Sequence, residues 1–483
     1  MKIRKITAVL LAGLVMALGL SSCGSNSKSE TPTSVIVWHY YNGAQQQIFD
    51  ELVQEFNETV GAEQNIVVDS QNQGTISELT DKVLKAIHGE IGADEVPDVF
   101  AAYADTAYEI DQLDMAADLS AYLSQEEMDQ YVASYLEEGR FSDDGDLKIF
   151  PVAKSTELLM LNNTAWQEFS SATGIDASSL STWEGIAKAA EEYYNWTDAQ
   201  TPDVPDDGKV FFGRDAFANY IIIGSKQLGT ELFQVSGGKV NLQVNAEVMR
   251  KLWDNFYVPY INGYYGAYGR FRSDDMKTGD LVAMVCASSG ATYFPAEVTS
   301  EDGTSYPIEG SVYPLPNFEG TDNAMAVQQG AGMVVTKSNE IKEKAAVTFL
   351  KWFTAPEQNV RFAMSSGYLP VTYEGNSQSA IDQAIKESGQ PVSDIVRSSL
   401  DIGVTMTQDY TFYTSKAFKN GFDARNIVEY SMMDQANADL EQIQNLMSQG
   451  SSRADAVARY NTDENFENWL NSFETALNQA INK

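Results

Sequence analysis

The opening hundred residues past the N-terminal leader alternate short apolar runs with amphipathic stretches, and this alternation decides the fold class. Residues 34–38 (SVIVW) read as a strand buried on both faces. Ile48, Leu52 and Phe56 then recur at four-residue steps with Phe49 and Val53 beside them, which predicts a helix ending at Gly61. A second β-branched run follows at 65–69 (NIVVD). Strand, helix and strand joined by short links make a βαβ unit, so the two strands pair in parallel through a right-handed crossover. Leu79, Val83 and Ile87 mark the next helix and residues 97–103 (PDVFAAY) the next strand, making the opening lobe α/β.

Further along, residues 158–162 (LLMLN) read as a strand, 183–194 as a helix and 201–208 (TPDVPDDG) as a surface loop. Residues 255–272 are dense in Tyr and Gly, suiting either a cleft lining or packing between lobes. Residues 333–336 form another strand, and Ser338 is the expected N-cap of a helix carrying Ala345, Ala346, Phe349 and Phe353. From Asp423 onward the chain reads as acidic helix with a break at Gly450.

The N-terminus is a targeting signal. Lys2, Arg4 and Lys5 precede an apolar run, 6–20, too short for a comfortable membrane span. The run ends in Leu20-Ser21-Ser22-Cys23, which resembles the lipobox of bacterial lipoproteins. Cleavage would remove residues 1–22, and the Cys23 thiol would carry a diacylglycerol anchor on the outer face of the cell membrane. Two or three acyl chains, at about 0.8 kcal/mol per buried methylene, hold durably where one does not. Residues 23–34 then supply the lipidated cysteine and a flexible polar tether.

The 461 residues left suit two lobes of ordinary domain size. With 68 acidic against 32 basic residues the net charge is −36, which repels a phosphate backbone and excludes nucleic acid as a partner. Cys286 is the one cysteine beyond Cys23, so there is neither a disulfide framework nor a thiolate metal cluster. The two histidines, His39 and His88, lie too far apart for a helical metal motif, and no HExxH, GxSxG or P-loop spacing is present. No cofactor or metal is expected.

These segments, in this order, resemble the family 1 extracellular solute-binding proteins of bacterial ABC importers. The likeness runs from about Val35 to the C-terminus and rests on VIVW, FNE, PDVF, LMLNNTAW, TWEGIAKAA, AMVCASSGA, YPLP, GAGMVV, AAVTFLKWFTAPE and SGYLPVT. Within that family Trp38-His39, the ASSG of 287–290 and the GYLP run ending at Thr372 are similar to the glycerol-3-phosphate and sugar-binding subgroup. The resemblance implies a two-lobe α/β fold of the periplasmic-binding-protein-like type II class with a hinge. It puts residues 35–148 and 312–365 in the first lobe and 149–311 and 366–483 in the second. It further implies a monomer that closes on a sugar, oligosaccharide or polyol, phosphorylated or not, and delivers it to permease subunits.

Carried over residue by residue, the resemblance sets Tyr40 or Tyr41, Tyr103 and Tyr368 against ligand. Ser155, Ser288, Ser289 and the Gly330 backbone would donate hydrogen bonds, and Arg425 matches the subgroup's phosphate-gripping arginine. Ala104 stands where the family has its hydroxyl-reading acid, and Asp105 comes one residue later. The subgroup's stacking tryptophan is missing, with Phe217 and Tyr220 nearest in register. Trp38 and these tyrosines fall at predicted strand ends, where open α/β sheets put their crevices, and aromatic faces with hydroxyl acceptors are what a polyol needs.

Each residue also has a structural role open to it. Trp38 suits a lobe core. Tyr40 and Tyr41, consecutive in extended backbone, point oppositely, so one of them faces ligand. The serines suit helix caps, Gly330 a turn, Arg425 a pairing with Asp423 or Glu429, and Asp105 a helix cap. A glycosidase is the rival of a different class, because paired carboxylates are unavoidable in so acidic a chain.

Overall fold

The computed structural model describes residues 31–141, 145–236, 238–300, 303–321, 324–388 and 392–483. The leader, Cys23 and most of the tether lie outside the described residues. Among these residues, no helix is long and apolar enough to cross a membrane.

Two four-stranded sheets organise two lobes. In the first, Thr33–His39 pairs in parallel with Ile66–Asn72 on one side and Val99–Ala102 on the other, the βαβ arrangement expected. Gly332–Val335 adds an antiparallel edge beside Val99–Ala102. Helix Gly43–Glu58 buries Phe49, Leu52, Val53 and Phe56 against this sheet. Helix Ile76–Ile87 starts at a capping box in which Thr75 and Glu78 satisfy each other's backbone N–H. Gly61 does not stop the first helix. It lies within a short second helix, Val60–Gln64, where an added Cβ would come 2.8 Å from the carbonyl oxygens of Ile66 and Phe56. Close backbone approach, not helix termination, requires the glycine there.

In the second lobe Glu157–Asn162, buried throughout, is flanked by Gly310–Pro314 and Ala283–Ala287, both antiparallel to it. Phe212–Arg214 closes the far edge in parallel. The strand 310–314 runs across the lobe boundary expected at residue 312 and belongs wholly to this second sheet. Helix Trp183–Asp198 begins where the Thr182 hydroxyl accepts the Gly185 N–H. Of the aromatic stretch after residue 255, Phe256, Tyr257 and Tyr260 end helix Ala246–Ile261 and are buried in this lobe with Tyr265, whereas Tyr268 and Phe271 are exposed. The C-terminal helices Gly421–Ser448 and Asp463–Ile481 pack on it, with Gly450 (φ 96°) turning the chain between them.

The helix after the last first-lobe strand, Glu340–Phe353, is capped by Asn339 and not Ser338: the Asn339 side chain accepts the Lys342 N–H, while the Ser338 N–H goes to Glu343. Beyond residue 366, helix Gln378–Ser388 packs on Pro356–Ser366, which itself rests on the first lobe's helix Gly43–Glu58.

Three chain passages run side by side where the lobes meet. Phe150 and Met333 exchange backbone hydrogen bonds, Ser155 exchanges a pair with Gln329, and Lys154 is bridged to Leu369.

Candidate ligand cleft

Tyr40 follows the first strand, Tyr103 precedes helix Ala104–Gln112, and Tyr368 follows the left-handed Gly367 (φ 70°) that ends helix Pro356–Ser366. Strand ends of the first lobe and one crossing passage thus deliver three phenols to one place. The Tyr40 and Tyr368 hydroxyls lie 3.4 Å apart. Tyr103 is 46% exposed, yet its hydroxyl is pushed up to about 12, first by desolvation and then by Tyr368, with Arg425 opposing and Glu138 adding. Burial raises the Tyr40 and Tyr368 hydroxyls as well. All three stay protonated and can donate.

Gly330 adopts φ +99°, and a Cβ there would meet the Ala153 carbonyl at 2.9 Å and the Tyr368 ring at 3.3 Å. Its carbonyl accepts from Lys154 Nζ at 2.8 Å. Lys154 also pairs with Glu138 at 2.6 Å, with side chains 1% and 7% exposed. The Gln328 amide donates to the same Glu138 carboxylate. A buried ion pair with further hydrogen bonds, set where three chain passages cross, is a rigid polar floor. Sequence reasoning missed Glu138, Lys154 and Gln328. The available signal was Lys154 itself, a charge inside the otherwise apolar approach to a strand (FPVAKSTELLML).

Asp105 lies across the lobe boundary. Its carboxylate rests on the first residue of helix Gly421–Ser448, 2.9 Å from where a Gly421 Cβ would stand. Desolvation raises it to about 6, opposed by Arg425 and helped by Glu138. Arg425 donates to Asn219 Oδ1 at 2.7 Å, so it pairs with neither Asp423 nor Glu429. Glu429 instead accepts the backbone N–H groups of Phe217 and Ala218.

Four expected site residues are corrected to core. Trp38 is 2% exposed and donates its indole N–H to Gln71 on the neighbouring strand. Tyr41, also 2% exposed, packs on Phe49 and Phe362 in the first lobe. Phe217 and Tyr220 are buried in the second, against Phe256 and Trp183, because helix Phe217–Gln227 is enclosed on nearly every face. Ser155 contributes its backbone to the crossing. The Ser288 hydroxyl is spent on the Gly367 carbonyl at 3.0 Å, so it neither caps a helix nor faces outward. Ser289 is half-buried, its carbonyl accepting from Thr292. His39 is fully buried, accepts the Tyr41 N–H and is driven down to about 4 by desolvation, a structural histidine. Cys286 is buried with its thiol raised well above its usual range by desolvation, an inert group.

Two α/β lobes joined by three strand-like passages, with phenols and buried polar groups gathered at the junction, define a class of proteins that enclose a small molecule between hinged halves. The chain belongs to the bacterial extracellular solute-binding proteins, whose family profile matches residues 51–387. No curated protein sequence matches it. Solved structures share the fold over nearly the whole length. A cyclic α-maltosyl-1,6-maltose binding protein from Arthrobacter globiformis superposes with TM-score 0.64 at 18% identity, covering 93% of this chain and 99% of that one. UgpB from Mycobacterium tuberculosis, in complex with glycerophosphocholine, gives 0.62 at 19%, covering 94% and 100%. The substrate-binding protein Lmo0181 from Listeria monocytogenes, in complex with cycloalternan, gives 0.60 at 15%, covering 92% and 99%.

Proposed function

We propose that this extracellular solute-binding protein captures a carbohydrate or related polyol between its lobes and passes it to the permease of an ABC importer, leaving the solute chemically unchanged. The observation that carries the reading is the convergence of Tyr40, Tyr103 and Tyr368 beside the Glu138–Lys154–Gln328 cluster. Phenol faces stack on sugar C–H surfaces while their hydroxyls and the acids read ligand hydroxyls. The oligosaccharide and glycerophosphocholine ligands of the structural neighbours support the same class. The working site is Tyr40, Tyr103, Asp105, Gly330, Tyr368 and Arg425, with Glu138, Lys154 and Gln328 beneath.

The proposed first lobe holds residues 35–148 and the segment from the end of strand 310–314 to 365; the rest is the second. Solute held by one lobe gains contacts only as the other swings in, so binding shifts the population toward the closed form. Cys23 would anchor a monomer to the cell membrane.

The test is a thermal-shift screen of the purified protein against neutral oligosaccharides, polyols and glycerol phosphates. Ligand at 100 times its dissociation constant adds about 2.7 kcal/mol. No shift with any of them removes the carbohydrate class, and hydrolysis of an added oligosaccharide would make the protein an enzyme. Loss of membrane attachment in Cys23→Ala tests the anchor separately.

A further inference from the structure

The chain contains three Asn–Gly pairs, at 42–43, 262–263 and 420–421, and the fold treats them unequally. In such a pair the glycine nitrogen can close on the asparagine side chain, because glycine has no Cβ in the way and adopts φ of either sign. At 262–263 both groups are tied. Asn262 Nδ2 donates to the Val258 carbonyl at 2.8 Å, and the Gly263 N–H donates to the Tyr260 carbonyl at 2.9 Å. At 420–421 Asn420 Nδ2 donates to the Ala480 carbonyl at 3.2 Å and the Gly421 N–H to the Phe418 carbonyl at 3.0 Å. The Asp105 carboxylate, 2.9 Å from where a Gly421 Cβ would stand, also repels an anionic nitrogen at that position.

The first pair has none of these restraints. Asn42 is exposed, and although it stands at the N-cap of helix Gly43–Glu58 its side chain makes no capping hydrogen bond. The Gly43 N–H lies in the first helical turn, whose N–H groups have no intrahelical acceptor. No atom comes within 4 Å of where a Gly43 Cβ would stand, so a ring has room to form. The partial positive charge of the helix N-terminus favours the nitrogen anion and the oxyanion that follows it.

We propose that Asn42–Gly43 is a spontaneous modification site in the wall of the cleft. Gly43 N loses its proton and attacks Asn42 Cγ; the Cγ–Nδ2 bond breaks, and ammonia leaves with that proton. Water then opens the cyclic imide. Opening at Cγ gives aspartate, and opening at the backbone carbonyl gives isoaspartate, in which one extra methylene, about 1.5 Å of chain, enters the backbone. The first turn feels it directly, because the Asn42 carbonyl accepts the Gln45 and Gln46 N–H groups that close that turn. The Gln45 side chain in turn donates to the Ser366 carbonyl, two residues before Tyr368. The isoaspartyl form therefore loosens the pairing of the Tyr40 and Tyr368 hydroxyls, and, on the reading that solute is held there, it is a form with a damaged site.

The test is peptide mapping by mass spectrometry on the whole mature protein held for weeks in neutral buffer, with isoaspartyl and aspartyl peptides separated chromatographically. Asn42 is expected to gain one mass unit at least about tenfold faster than Asn262 and Asn420, with isoaspartate among its products. The isoaspartyl protein should melt below fresh protein, whereas Asn42→Asp, which keeps the backbone and adds an acid at the helix N-terminus, should not. Asn42→Ser, a sound N-cap that cannot form the ring, should keep its melting temperature through the same storage. Equal rates at the three pairs, no isoaspartate at Asn42, or an isoaspartyl form that melts like Asn42→Asp overturns the proposal. In the same samples maltotriose should raise the melting temperature of fresh protein more than that of the isoaspartyl form. An equal rise overturns the damage to the site; no rise in either counts against the solute reading and leaves the modification to be decided by the map.

Discussion

The two lobes use aromatic residues in opposite ways. The first brings Tyr40 and Tyr103 to strand ends and leaves them at the junction, packing its interior with Phe49, Phe56 and Phe362. The second buries a cluster of rings, Trp183, Phe212, Phe217, Tyr220, Phe256 and Tyr265, packed on one another behind Arg214, whose guanidinium lies over Trp183 and Tyr220, while Tyr268, Phe271, Phe422 and Tyr430 stay exposed away from it. Its contributions to the junction are the single ring of Tyr368 and polar groups, through Arg425 and the Asn219–Glu157–Arg214 chain. Aromatic content therefore does not locate a cleft. What locates it is the convergence of phenols from separate segments where the chain passages cross.

This contrast fails if the buried second-lobe rings govern binding or if Tyr40 and Tyr103 govern stability. The largest expected effects lie in the second lobe. Glu157→Leu leaves Arg214 buried without its partner and should cost about 3–5 kcal/mol in urea unfolding. Tyr220→Ala should cost a similar amount, about 3–5 kcal/mol, through the cavity it opens. Either variant unfolding like wild type would mean the lobe tolerates more repacking than its burial implies.

Next comes Tyr103→Ala, expected to lower solute affinity by about 1–2 kcal/mol, roughly tenfold, while unfolding free energy moves by less than about 0.5 kcal/mol. A large stability loss instead would return Tyr103 to the core. A finer division separates neighbours: Tyr40→Phe should weaken binding by about 1 kcal/mol through one lost hydroxyl, whereas Tyr41→Phe should leave affinity unchanged in the same titration.

The smallest effect is a pH dependence. Asp105 in the folded protein ionises near 6, above its ordinary 3.8. The folded state therefore takes up this proton first as pH falls, and the group favours folding increasingly from about pH 6 down toward 4. Arg425 and Glu138 face it with opposite signs. The wild-type melting temperature should accordingly rise relative to Asp105→Asn between pH 7 and 5; a constant difference would show that Asp105 titrates normally.

Much of this was legible in the sequence. Alternating apolar runs announced the βαβ opening, and the family resemblance pointed to Tyr40, Tyr103 and Tyr368, of which Tyr368 follows a helix and not the strand expected before it. Tyr40 and Tyr41 could not be separated without knowing which way the chain turns after His39. Phe217 and Tyr220 were placed by register with the subgroup's tryptophan, and helix Phe217–Gln227, buried on nearly every face, has no polar stripe to correct that placement. The Glu138–Lys154 pair joins distant segments, and no local pattern records a charge pairing of that kind.

The antiparallel edge strand Gly332–Val335 is made about 230 residues after its neighbour Val99–Ala102. The first sheet therefore cannot be completed until most of the polypeptide has been synthesised, and neither lobe can be obtained by cutting the gene in two. Such long-range closure slows folding, so the first lobe sets late, after the whole of the second sheet has been made.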